Sequence, residues 1–201
     1  RSALAFAGMA GPLMLAVTDI SAAFGAPGYN YIRDSISSLA LTRIGFIQTI
    51  GFMAIGLLIE IFVAGLMYSI RRVRGFHLSI GLLVFFGFAL LLIGAFRTDP
   101  VNGPETIEGA IHGFMATTAF WLFPIAVFFI APSIRSDPAW SSLYRYTLVT
   151  DGLAVVLVIL IGVLGDHISW FGLLERLLVF NMIAWVEVAA FRMLCISVSR
   201  G

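Results

Sequence analysis

Six uninterrupted apolar stretches dominate this chain, near residues 3–24, 46–70, 78–96, 112–131, 147–165 and 171–197. A helix needs about 20 apolar residues to cross a hydrocarbon core of roughly 30 Å, so each stretch is long enough to span a bilayer. Backbone N–H and C=O groups in lipid must be satisfied within their own segment, and runs that are apolar on every side lack the alternation of barrel strands. The stretches therefore predict an all-α polytopic membrane protein: one compact bundle of six transmembrane helices, a single domain over residues 1–201. The charge content agrees, at 11% against roughly 25% for a soluble domain. The first stretch resembles a secretory signal, but it is too long, lacks a clear small-residue cleavage site and carries Asp19, so it is read as a helix.

Arginine sets the expected orientation. Arg71, Arg72 and Arg74 lie in the second connection, Arg135 and Arg145 in the fourth, and Arg192 and Arg200 at the C-terminal end, whereas the fifth connection has none. Positively charged loops stay on the cytoplasmic side, which predicts cytoplasmic termini. The net charge is only +1 and there is no lysine, so the chain has no polybasic footprint for a nucleic acid. Its one cysteine, Cys195, excludes an internal disulfide.

The first, third and fifth connections then share the other face, and they hold most of the polar chemistry: "YNYIRDSISS", "FRTDPVNGPETIEGAIHG" and "GDHISW". They bring Asp34, Ser37, Arg97, Asp99, Glu108, His112, Asp166 and His167 to one membrane surface, with Glu175 and Arg176 about one turn inside the last helix. Each motif has an ordinary structural role to set beside a functional one. Asp34 is placed to cap a short interfacial helix over "SISSLAL". Glu108 suits the electropositive first turns of a helix. It also lies four residues before His112, where a carboxylate can fix the imidazole tautomer. A charge at the depth of Glu175 or Arg176 is costly in lipid unless paired. Asp34, Asp99 and Asp166 are the expected partners of Arg176, in a clasp that ties the loops to the bundle. Glu60, Asp151 and Glu187 form a separate, deeper set of intramembrane acids.

The chain lacks GxGxxG, Walker A, HExxH, CxxC and GxSxG patterns, so nucleotide, zincin and serine-hydrolase readings find no support and no metal site is expected. No cofactor is identified. The three histidines, His77, His112 and His167, allow at most one bis-histidine haem, on the outer side.

The ordered motifs "YNYIRDSISSL", "FRTD", "HG" and "GLLERLLVF", set between helices at these spacings, resemble the bacterial six-helix family named domain of unknown function 998. The likeness covers nearly the whole chain. It implies the six-helix architecture, a bacterial inner-membrane location and Asp34, Ser37, Asp99, His112 and Arg176 as key residues, without supplying a reaction. More loosely, the polar loop before the second helix and the histidine opening the fourth are similar to the six-helix DRAM and GPI-lipid-remodelling group. A shared fold does not transmit function.

Three functions follow as expectations. The first is a polar site on the non-cytoplasmic face that binds or remodels lipid head groups, with His112 as base, Arg176 as phosphate anchor, Asp34 or Asp99 as orienting or metal-binding carboxylates, Ser37 in the same catalytic set, and Arg97, Asp166 and His167 at the ligand. The second is a non-catalytic accessory subunit packed against other membrane-protein subunits, pigments or lipids. The third is a proton or ion pathway through Glu60, Asp151 and Glu187.

Overall fold

The computed structural model describes residues 2–199, apart from the side chain of Asp166. Arg200 and the Asp166 carboxylate, both used in the sequence expectations, lie outside the described residues. Six helices long and apolar enough to cross a membrane make up the molecule: α1 (Ser2–Gly25), α2 (Phe46–Ser69), α3 (Phe76–Ala95), α4 (Ile107–Ser136), α5 (Tyr144–Leu164) and α6 (Phe171–Val198). Each packs on its neighbour in the chain, and α6 returns to α1, which closes the bundle. The two ends of the chain meet on one face, where the Ser2 and Ser197 hydroxyls lie 3.0 Å apart. The connections 26–45, 96–106 and 165–170 lie on the other.

Five of the predicted spans agree with the helices to within about three residues. The fourth does not: α4 begins at Ile107 rather than 112 and runs on to Ser136. Thr106 is its N-cap, extended at φ −119° and accepting the Gly109 amide at 3.0 Å, which satisfies a donor that the first helical turn leaves free. At the far end Pro124 and Pro132 sit inside the helix, where neighbouring helices accommodate the missing N–H groups. The early start places His112 in the second turn of α4, at the level of the bundle interior.

Lipid supplies little hydrophobic drive between helices, so close packing and interhelical hydrogen bonds hold the bundle. Gly56 of α2 and Gly87 of α3 face each other so closely that a Cβ at Gly56 would stand 2.9 Å from the Gly87 carbonyl oxygen. Ser79 of α3 donates to the Ala126 carbonyl of α4 at 2.7 Å. Trp185 of α6 donates to the Thr147 hydroxyl of α5 at 3.2 Å. Phe86, Phe123 and Trp185 stack in series across the centre, with centroids 5.2 and 5.8 Å apart. On the face that carries the termini, Asp137 accepts the Arg71 and Ala139 amides, both at 2.8 Å, fastening one connection to the next.

Helix α5 is the least embedded. Its buried residues are Thr147, Thr150, Asp151, Ala154, Leu157 and Val158, and none of the residues that follow to its end is buried. The last turn and a half of α5, nearest the polar loops, is thus unburied, and a gap between α4, α5 and α6 opens there.

Candidate functional site

The long connection 26–45 is a folded lid. Asn30 Oδ1 accepts the Ile32 and Arg33 amides at 3.0 and 3.1 Å, and the Asp34 carboxylate accepts the Asn30 amide at 2.8 Å, a reciprocal turn built from two side chains. Asp34 also pairs with Arg33 at 2.7 Å, and that guanidinium holds its carboxyl below the usual carboxylate range. Asp34 does not cap the short 3₁₀ segment Ser37–Leu41, as the sequence suggested. The residue before that segment is Ile36, whose side chain makes no capping bond; the Ser38 amide is met by Ser35 Oγ at 3.2 Å, and the aspartate is engaged in the Asn30 turn.

Arg176 finds a different acid from those expected. Its guanidinium meets Asp19 of α1 through Nε at 3.2 Å and Nη2 at 3.1 Å, so both carboxylate oxygens are used. Nη1 donates to the carbonyls of Tyr31, Asp34 and Gly172 at 3.0–3.1 Å, and Nη2 also donates to the Tyr29 hydroxyl. The Tyr31 ring lies 3.8 Å from the guanidinium carbon. Burial pushes the Tyr29 hydroxyl up to about 12, so it stays protonated and donates onward to the Ser35 carbonyl at 2.8 Å. Arg176 is 1% exposed, with its donors turned to protein. The pairing corrects the expected clasp to Asp34, Asp99 or Asp166, and it removes Arg176 as a phosphate anchor. Glu175 is not part of this ion pair; its Oε2 accepts the Ile36 amide at 2.7 Å.

Asp99 is engaged too. It accepts the Thr106 amide at 2.9 Å and the Thr106 hydroxyl at 2.7 Å, and the amide holds its carboxyl below the usual range. Its role in this geometry is to secure the turn that starts α4. Arg97, Glu108 and His167 are exposed and line neither cavity described below. The deeper acids do not join them. Glu60 rests against Gly87, Asp151 is buried with Oδ1 unpartnered, Glu187 is half-buried, and none lines either cavity.

What converges is a smaller set. His112, Ser37 and Glu175 stand between two spaces. One is an enclosed apolar cavity of about 40 Å³ in the centre of the bundle, walled by residues such as Phe52, Phe86 and Met182. The other is a crevice of about 370 Å³ between α4, α5 and α6, where Ser35, Thr98 and Thr117 add hydroxyls and Trp121, Ile161 and Phe171 add apolar wall. Gly113 and Gly162 line the same crevice, and a Cβ at either would meet nothing within 4 Å.

The imidazole is oriented by backbone. His112 Nδ1 lies 2.9 Å from the Phe96 carbonyl and 3.2 Å from that of Ile93, the last turn of α3 and its cap. Two acceptors at Nδ1 require the proton there, so in the neutral imidazole the lone pair is on Nε2. The expected orienting group, Glu108, is exposed, because the helix starts earlier and carries it out to solvent. His112 is 4% exposed, and Nε2 has no hydrogen-bond partner among the described residues. The Ser37 hydroxyl bonds to that of Ser35 at 3.2 Å and not to His112, so no serine is held against the base. Among the described residues no group of three or more metal-ligating side chains gathers.

Sequence reasoning passed over Asp19, Tyr29, Tyr31, Ser35 and Thr98. For Asp19 a signal was present: it lies six residues inside α1, and Arg176 five inside α6, from the same face. At 1.5 Å per residue the two sit at matching depth. No curated protein and no solved structure significantly matches this chain. A family model described as protein of unknown function (DUF998) matches residues 9–192, a span that takes in every motif above, and the chain therefore belongs to the DUF998 family.

Proposed function

We propose that this integral membrane protein binds the head groups of membrane lipids in the crevice between α4, α5 and α6, on the non-cytoplasmic side. The observation that carries the reading is the His112 imidazole, with Nδ1 bound to the Phe96 carbonyl at 2.9 Å and Nε2 left as an unpartnered acceptor at the crevice. His112 Nε2 makes no hydrogen bond within the described residues and is not sealed from the space that His112 lines, so a ligand donor entering the crevice can reach it. The apolar wall of Trp121, Ile161 and Phe171 beside polar Ser35, Ser37, Thr98 and Glu175 suits an amphiphile. The unburied last turns of α5 give it a sideways route from the bilayer. His112 is also placed to take a proton from a head-group hydroxyl, since a base must first reach the proton geometrically. With Ser37 bonded elsewhere, the ligand's own hydroxyl is the group activated.

Thermal unfolding of the purified protein in detergent, with and without a total bacterial lipid extract, tests this. The extract should raise the midpoint of the native protein. His112→Ala should stay folded and lose that response. Gly162→Leu should lose it as well by filling the crevice, without destabilising a helix in which glycine costs about 1 kcal/mol relative to good helix formers. Full lipid responses in both variants would refute the reading.

A further inference from the structure

We infer that the crevice selects a lipid whose head is hydroxylated and carries no phosphate, such as a diacylglycerol or a glycosyl diacylglycerol. The inference rests on the crevice being a lipid site and adds the head-group class to it.

The charges around the crevice carry the argument. Its charged lining residue is Glu175, an acid. Arg176 is adjacent in sequence but points into the Asp19, Tyr29 and Tyr31 cluster. Arg33 is engaged with Asp34, and Arg97 is exposed and lines neither cavity. No described arginine therefore lines the space where a phosphate would sit, and anionic head groups are ordinarily met by arginine or lysine. A phosphate here would instead lie beside the Glu175 carboxyl group and the His112 ring.

The polar atoms offered to a ligand combine acceptors with hydroxyls that donate as well as accept. Glu175 Oε2 is occupied by the Ile36 amide, which leaves Oε1 for the ligand, and His112 offers Nε2. They form no hydrogen bond or ion pair with each other, so one head group can serve both. The hydroxyls of Ser37, Thr98 and Thr117 line the same space and both donate and accept. A hydroxylated head answers all of these at once, donating to Nε2 and Oε1 and accepting from serine or threonine. An ammonium head donates only and leaves the hydroxyls without an acceptor.

The test uses the full chain in dioleoylphosphatidylcholine nanodiscs and reads the unfolding midpoint against added lipid. The probes share acyl chains: dioleoylglycerol, monoglucosyl dioleoylglycerol and dioleoyl phosphatidic acid, with oleylamine as the ammonium probe. A hydroxylated probe should act at concentrations at least about tenfold below those of phosphatidic acid or oleylamine, the scale of one mismatched buried polar group. The ratio between the first two probes distinguishes a glycerol hydroxyl from a sugar as the recognised head. Glu175→Gln keeps an acceptor for the Ile36 amide and adds an N–H donor, so it should narrow the discrimination against phosphatidic acid. Equal or better stabilisation by phosphatidic acid or oleylamine would overturn the head-group assignment and leave the lipid site standing. A midpoint unmoved by every probe and by the lipid extract would remove both.

Discussion

Arg176→Ala should be the most damaging single substitution in this protein, lowering its unfolding free energy by about 3–5 kcal/mol, because it strands the Asp19 carboxylate in the bundle. The two side chains are 1% and 2% exposed, and neither has water to fall back on. The same substitution removes the donor that gathers the carbonyls of Tyr31, Asp34 and Gly172, so the lid should loosen as the ion pair is lost. Arg176→Lys should not restore stability, since an ammonium cannot reproduce the two-pronged contact with Asp19. A double-mutant cycle separates the pair from its surroundings. Asp19→Leu with Arg176→Met leaves no stranded charge and should be more stable than the sum of the single losses by about 0.5–3 kcal/mol. Reversible unfolding in mixed micelles, followed by tryptophan fluorescence, supplies the four free energies. Strict additivity would mean that the pair contributes nothing as a pair.

Gly172→Ala comes second. A Cβ at Gly172 would lie 2.8 Å from the carbonyl carbon of Asp34 and 3.0 Å from its nitrogen, with the carbonyl oxygen nearer still. These are backbone atoms in a turn fixed by Asn30 and Asp34, so no side chain can swing aside. The start of α6 would have to leave the lid, breaking the Gly172 amide bond to the Arg33 carbonyl at 3.1 Å and the Leu173 bond to Ile32 at 2.9 Å. Overpacking of this kind costs about 1–3 kcal/mol, occasionally more, and the upper end is expected here. Gly113→Ala provides the control, because its Cβ meets open space; the same unfolding measurement should show it unchanged or slightly more stable. Equal stability of the two variants would refute the described contact between lid and helix.

The architecture was legible because hydropathy reports directly on the solvent: six apolar runs of spanning length leave one class of fold. The ends of α4 were less so. The turn that fixes its start depends on Asp99 reaching Thr106, a contact across a Pro-Asn-Gly-Pro loop that periodicity does not encode. The site was legible as a neighbourhood rather than as a set of contacts. The loops do share one face, and Ser37, His112 and Glu175 do meet at a cavity. Yet a carboxylate in a loop has several amides within reach, and Asp34 and Asp99 are satisfied locally by Asn30, Arg33 and Thr106. That local satisfaction leaves Arg176 to Asp19, an acid buried at its own depth. The orientation of His112 was beyond sequence reasoning, since the groups that fix it are main-chain carbonyls of α3 that any residue supplies.

We propose that a lipid occupies the crevice floored by His112, Ser37 and Glu175. Photocrosslinking in nanodiscs addresses it most directly, using two lipids with a photoreactive group in the acyl chain, a diacylglycerol and the matching phosphatidic acid, followed by mass-spectrometric mapping of the labelled residues. At least one probe should label Trp121, Ile161 and Phe171 on the crevice wall in preference to Phe6, Phe85 and Phe191 on the outer faces of the bundle, and Gly162→Leu should abolish that preference. Labelling spread evenly over the exposed apolar residues and unchanged by Gly162→Leu would contradict the claim.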